Sequence, residues 1–397
     1  MSSRFSGERK VQPNARMLTL ACSATMMAQL GVTLYLPAMP VIAEALNISE
    51  AEGYNSLLMY LGGAAVPLVF AARVIRIFGR SAVLLAFCCI FLSGSVLSAW
   101  TCCDTGFYVS RTLQGLGGGG AALIGRALLS EIYSGARLAK HLSLLSYSFV
   151  FALIVGQVAG GYLVLLGHWK VLSFVMIFGS VMTIFLVLTV QRTLSVLDSH
   201  SRQRTDPAEY VFIVRQPAFY LPVILGGCGY GVFIVCQGVG VYVFDLLWGW
   251  GSSEYGVLGV WLGLAYFLGA LSVRMALKTI SVTALLVMGV MVLLAAVTAF
   301  FLSTLHYLER HFVVVAYVAV WYAQALMYPC VASMAVKKYP GLESMMLFSF
   351  LQQLVALFFG TLASLVMPGG MHAVALLTLG LGSMGAVVAV LLSLKRN

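Results

Sequence analysis

Apolar residues fill this chain in long blocks, and polar residues gather almost only at the junctions between blocks. Twelve blocks reach the roughly 20 residues that a helix needs to cross a bilayer: 17–38, 53–73, 80–100, 106–128, 141–164, 169–191, 217–243, 254–274, 281–303, 311–334, 343–367 and 371–394. The pattern predicts an all-α polytopic membrane protein with twelve transmembrane helices. One connection is out of proportion: residues 192–216, RTLSVLDSHSRQRTDPAEYVFIVRQ, are polar, basic and longer than the other links. They divide the chain into a six-helix half at 1–191, a linker loop at 192–216 and a second six-helix half at 217–397. Paired halves of this kind recur in secondary transporters, where the substrate site lies between them near the midplane.

Composition agrees, with 61% hydrophobic and 9% charged residues against roughly a quarter charged in a soluble domain. The net charge of +10 would suggest nucleic acid in another setting. Here the basic residues sit in short loops beside the membrane, where they set topology and meet anionic lipid. If the first span runs outward, one side receives Arg9, Lys10, Arg16, Arg73, Arg76, Arg80, Arg137, Lys140 and the basic residues of 192–216. It also receives Lys278, Lys337, Lys338, Lys395 and Arg396. The other side holds Lys170 and Arg310, with Arg111 just inside a span. This bias places both termini in the cytoplasm. No small-residue cleavage site follows a short apolar region, so the first span is expected to stay as an anchor. Of eight cysteines, six lie in spans as small apolar residues. Cys102 and Cys103 are adjacent in a loop with no loop partner, so neither a disulfide nor a metal site is expected, and no cofactor.

Three segments carry more information. After the second span the chain reads ARVIRIFGRSAVLL, with Gly79 and Arg80 opening the third. The fourth reads RTLQGLGGGGAALIGRALLSEIY, and the fifth contains VGQVAGG. Gly115, Gly117, Gly118, Gly119 and Gly120 strip the fourth helix of side chains. Gly156, Gly160 and Gly161 do the same in the fifth at small-xxx-small spacing, so both predict close helix contacts. Arg111, Gln114, Gly118, Ala122 and Arg126 recur at three or four residues and form one stripe. An arginine inside a span faces water, pairs internally or snorkels to the surface.

In order and spacing these segments resemble the signature segments of the major facilitator superfamily, in particular its twelve-helix drug/proton antiporters. TLYLPAMPVIAEALNIS in the first span and ALLSEIY closing the fourth are similar to bicyclomycin-resistance and EmrD-type multidrug exporters. The likeness covers nearly the whole first half, and only helix count and loop pattern in the second. It implies a secondary transporter of the bacterial inner membrane that exports small amphipathic compounds by proton antiport and alternating access, as a monomer and not as an enzyme. It also implies coupling at Arg111 and a gate involving Arg80 and Glu131, with Gln114, Arg76 and Gly79 beside them.

Three departures stand against it. Arg76 occupies the place of the loop motif's aspartate, Gly156-Gln157 replaces Gly-Pro, and Thr33 stands where many relatives of the bicyclomycin group carry an acid. The remaining acids fall near span ends, so only Glu131 or Asp245 is placed to carry a proton. The polar and aromatic residues inside spans are candidates for the substrate cavity: Gln29, Thr33, Asn55, Arg126, Gln157, Tyr230, Gln237, Trp321, Tyr322, Gln324, Gln352 and Gln353. Each also has the alternative of bonding a neighbouring helix. Arg111 and Arg126 would suit a carboxylated metabolite, such as a siderophore, better than a cationic drug. A transport-inactive sensor is the reading that the altered loop motif and missing acid favour. A polytopic enzyme would need a catalytic constellation that the sequence lacks.

Overall fold

The computed structural model describes residues 15–132, 135–198, 212–305, 309, 311–337 and 342–394. Every long apolar block becomes helix. In the first half these are α1 (Ala15–Thr33), α2 (Met39–Leu46), α3 (Glu50–Ala65), α4 (Pro67–Phe78), α5 (Arg80–Trp100), α6 (Asp104–Ile132), α7 (Gly135–Val164) and α8 (Val171–Asp198). The second half contains α9 (Pro217–Trp248), α10 (Ser252–Ala276), α11 (Val282–Thr304), α12 (His311–Val336), α13 (Leu342–Val366) and α14 (Met371–Leu394). Pairs α1–α2 and α3–α4 each make one broken span, which gives twelve crossings among the described residues.

The breaks follow proline. Pro37 and Pro40 turn the end of the first span into a 3-10 turn at Leu36–Ala38, and the span continues through α2 to Leu46 rather than ending at 38. Pro67 separates α3 from α4, because its ring excludes the hydrogen bond that would join them. Ser49 and Glu52 start α3 with a reciprocal capping box, in which the Ser49 N–H donates to Glu52 Oε2 at 2.7 Å. At the other end of that span Gly79 adopts φ 82° and reverses the chain into α5, a conformation that favours glycine. Helix α8 runs to Asp198, seven residues past the boundary expected at 191, and residues 199–211 of the linker lie outside the described residues. Helix α9 likewise extends to Trp248.

Eleven of the crossings are long and apolar enough to span a membrane by length and composition, and α6 is the exception. Its glycines, Arg111 and Arg126 lower its hydropathy, yet it lies at the middle of the first half against α1, α3 and α5. The second half repeats that arrangement. Crossing 1 touches 4, 5 and 6, crossing 4 touches 2 and 3, and 3 touches 6; in the second half 7 touches 10, 11 and 12, 10 touches 8 and 9, and 9 touches 12. The halves meet through α7 with α10 and α3 with α13, again one pair repeated. This is the signature of two parallel repeats related by an axis along the membrane normal, which the amino-acid sequence does not display.

Candidate functional site

Arg111 is wholly buried on α6, so it does not snorkel. Its guanidinium carbon lies 4.4 Å from the ring centre of Tyr35 and 4.8 Å from that of Tyr60. Nη1 donates to Gln114 Oε1 at 2.6 Å, and Gln114 is held in turn by donating to Ser95 Oγ at 3.2 Å. Tyr35 is fixed behind by Ser98 and Ser173, with its hydroxyl 3.2 and 3.0 Å from their oxygens. Nε and Nη2 of Arg111 have no partner. Two aromatic faces supply about 0.5–2 kcal/mol each, whereas desolvating a charge costs several kcal/mol per ion. The cage therefore holds Arg111 without balancing its charge. Sequence reasoning selected Arg111 and Gln114 and missed Tyr35, Tyr60, Ser95, Ser98 and Ser173. Tyr35 sat inside a segment already singled out, but nothing in periodicity tells which helix faces which.

Arg126, four turns along the same stripe, is exposed. Starting from the end that carries Ala15 and Leu394, the halves touch between α7 and α10, where Tyr147 lies 6.0 Å from Phe267 and Phe149 5.4 Å from Tyr266. At the far end they close: Tyr54 lies under Gly238, Tyr242 abuts Gly53, and Ser364 Oγ donates to the Ala51 carbonyl at 3.5 Å. Deeper along the same seam Gln353 Nε2 donates to the Leu61 carbonyl at 3.2 Å. Tyr230, half-buried on α9, stacks on Phe233 at 6.0 Å.

Several residues expected in the cavity are committed elsewhere. Thr33 is fully buried and donates to the Ala152 carbonyl at 3.1 Å, which fastens α1 to α7. Gln352 donates to the Gly226 carbonyl at 3.1 Å and joins α13 to α9. Tyr322 donates to Ser272 Oγ at 3.0 Å between α12 and α10. Trp321 is sealed in the second half between Phe233 and Tyr317, at 4.9 and 4.6 Å, and Gln324 is buried beside Gly229. Thr33, Gln352 and Tyr322 spend their polarity on neighbouring helices, because a polar group in an apolar span needs only some partner, whereas the Trp321 Nε1 is buried without one. Gln237 is buried on α9 and Gln29 half-buried on α1. Asn55 is half-buried on the face of α3 that carries exposed Met59 and the open Gly62. Arg80 is buried at the start of α5, and Arg76 is on the last turn of α4. The Glu131 side chain, and with it the expected inner gate, lies outside the described residues.

The sequence matches the profile of the Major Facilitator Superfamily over residues 21–344. The chain belongs to that superfamily. Multidrug resistance protein MdtL of Klebsiella pneumoniae (strain 342) is 30% identical over 161 residues, 41% of this chain and 41% of that protein. MdtL of Salmonella dublin is 28% identical over 202 residues, 50% of this chain and 51% of that protein. The chain thus spans about half, or less, of the length of the curated relatives it matches. Among solved structures, a D-xylose–proton symporter superposes with a TM-score of 0.73 at 15% identity, covering 95% of this chain and 96% of its own. A POT family transporter in complex with 5-aminolevulinic acid gives 0.74 at 13% identity and 95% of each chain. At such identities the likeness establishes the major facilitator fold alone.

A Cβ at Gly115 would fall on the Tyr60 carbonyl of α3, and one at Gly118 would meet the Tyr60 hydroxyl. A Cβ at Gly156 would strike Thr33, at Gly160 the Leu34 carbonyl, and at Gly161 the Ser252 carbonyl across the seam. Gln157, the departure from the proline of the fifth-helix motif, does not reach open space. It is fully buried against Gly256 and Gly259 of α10, and neither its amide oxygen nor its nitrogen has a partner. A buried amide left unsatisfied costs about 1–3 kcal/mol. Gln157→Leu, of similar volume, is therefore expected to raise the thermal midpoint of the purified protein in detergent; a lower midpoint would show that the amide is bonded after all.

Proposed function

We propose that this chain is a secondary transporter that exports small amphipathic compounds across the bacterial inner membrane, by alternating access and in exchange for protons. The observation that carries the reading is the contact pattern repeated in the two halves. Two parallel repeats that meet through one repeated pair of helix contacts have the architecture of a rocking carrier. The name of the MdtL relatives supports a multidrug type of efflux. In this reading 192–216 tethers the halves, a single copy suffices, and the exposed Arg126 and half-buried Tyr230 line the path. Arg111 and Gln114 couple the halves to ion movement, and Arg80 and Glu131 serve the inner gate.

The first experiment is compound-induced proton movement in everted vesicles that contain the protein, with cationic drugs beside carboxylated compounds. Proton release from the vesicle lumen on adding a compound is the expected result. Binding without flux for every compound tried would favour the sensor reading instead.

Orientation is testable separately. The loop between α5 and α6 exposes Cys102 and Cys103 at the closed end, which the Lys/Arg bias places outside. A membrane-impermeant maleimide should label spheroplasts at this loop, and the paired change Cys102→Ser with Cys103→Ser should remove that labelling. Labelling of everted vesicles in preference to spheroplasts would invert the topology.

A further inference from the structure

Arg111 carries five N–H donors, and the three on Nε and Nη2 find no acceptor although the residue is fully buried. These two nitrogens form one edge of the guanidinium, the fork whose spacing matches the two oxygens of a carboxylate. The arrangement leaves that edge unused, because Gln114 takes Nη1 and the Tyr35 and Tyr60 rings lie against the guanidinium carbon. Among the described residues there is no internal counter-charge in a helix interior: Glu44, Glu50, Glu52, Asp104, Glu131, Asp198, Asp245, Glu254, Glu309 and Glu343 all lie at or near helix ends. A bound anion would supply the missing acceptor.

A second arginine lies on the same helix. Arg126 lies about 22 Å further along α6 at 1.5 Å per residue and is exposed. Tyr60 stands between the two arginines. Its ring faces Arg111, while its hydroxyl donates to the Ala28 carbonyl at 2.6 Å and sits against Gly118, on the side toward Arg126. Tyr60 thus lies against the stripe between the two positive charges, where its ring can accept an apolar body.

We infer that the Nε/Nη2 edge of Arg111 is the seat for the carboxylate of an amphipathic organic monoanion, which enters past Arg126 and is uncovered by movement of the Tyr60 side chain. The inference rests on the transport reading above and names the substrate class of that site. A cationic compound meets two like charges on this stripe, whereas an aryl carboxylate gains a bidentate partner at its end.

The test uses the full-length protein in lipid nanodiscs with 2-naphthoate as probe, compared by calorimetry with 2-naphthamide and 2-naphthylmethylamine. The acid is expected to bind at least tenfold tighter than the amide or the amine. Arg111→Lys keeps the charge but loses the fork and should weaken the acid at least tenfold, with little effect on the amide. Equal binding of acid and amide by the unaltered protein, which needs no variant, would overturn the assignment. So would undiminished naphthoate affinity in Arg111→Lys, or chloride bound through Arg111 with no naphthoate binding. Proton movement driven by cationic compounds without naphthoate binding would defeat this inference and leave the transport reading standing. Naphthoate bound through Arg111 without flux of any compound would do the reverse.

Discussion

Arg111→Met should yield a protein that is more stable than the parent and inert. The residue is a buried cation with three donors unmet, held by two rings and one amide. Methionine fills similar length without a charge, and relieving an uncompensated buried ion is worth about 1–3 kcal/mol after the loss of the Gln114 contact. Compound-driven proton movement in vesicles should fall at least a hundredfold, about 2.7 kcal/mol of coupling, because the only charge in the sealed part of α6 is gone. The paired readout is decisive. A lower thermal midpoint would mean that Arg111 is structural, and full flux would mean that coupling runs elsewhere. A residue that costs stability and is kept for activity is what a functional site looks like energetically.

Gly115→Ala should have the second largest effect, through folding. The added methyl would fall on the Tyr60 carbonyl and come within 3.1 Å of the Ala64 nitrogen, both backbone atoms of α3. A backbone cannot turn aside as a side chain can, so α3 and α6 must separate. That costs about 3 kcal/mol or more, at the upper end of overpacking. The contact also sets Tyr60, one wall of the Arg111 cage. Monodisperse yield in detergent and the thermal midpoint should both drop sharply. Gly62→Ala on the facing helix is the control: nothing lies within 4 Å of its added Cβ, and exchanging glycine for alanine in a helix gains roughly 0.5–1 kcal/mol. If the two variants behave alike, close approach of α3 and α6 is not what the glycines provide.

Much of this architecture was legible in the chain because membrane spans are dictated by composition. Twelve apolar blocks gave twelve crossings with ends shifted by up to about eight residues. Helix breaks were less legible: Pro37 and Pro40 looked like the end of the first span, whereas α2 carries the crossing on to Leu46. The repeat of one contact pattern in both halves could not be read, since it lies in which helices touch. The site divides in the same way. Arg111 stood out as a charge in a span, and its stripe along α6 follows from the 3.6-residue period. Its cage comes from α3, α5, α8 and the turn after α1, and no local pattern assigns those partners. Thr33, Tyr322 and Gln352 were chosen as cavity residues for polarity alone, and the structure shows that polarity spent on neighbouring helices.

The composition of α6 has a consequence for how the protein is made. An arginine inside a span opposes insertion, by about 2.5–3.5 kcal/mol at the centre and less toward the ends, and α6, which carries one toward each end, is the crossing that falls short in apolarity. Left alone in lipid it would tend to slip back into water. Its partners α1, α3 and α5 all precede it in the chain, so the helices that receive its glycine-rich face are already in place when α6 leaves the ribosome. Synthesis order thereby supplies the shelter that hydropathy does not. The corresponding crossing of the second half, α12, carries no charged residue within His311–Val336 apart from its terminal histidine and can enter the bilayer on its own account.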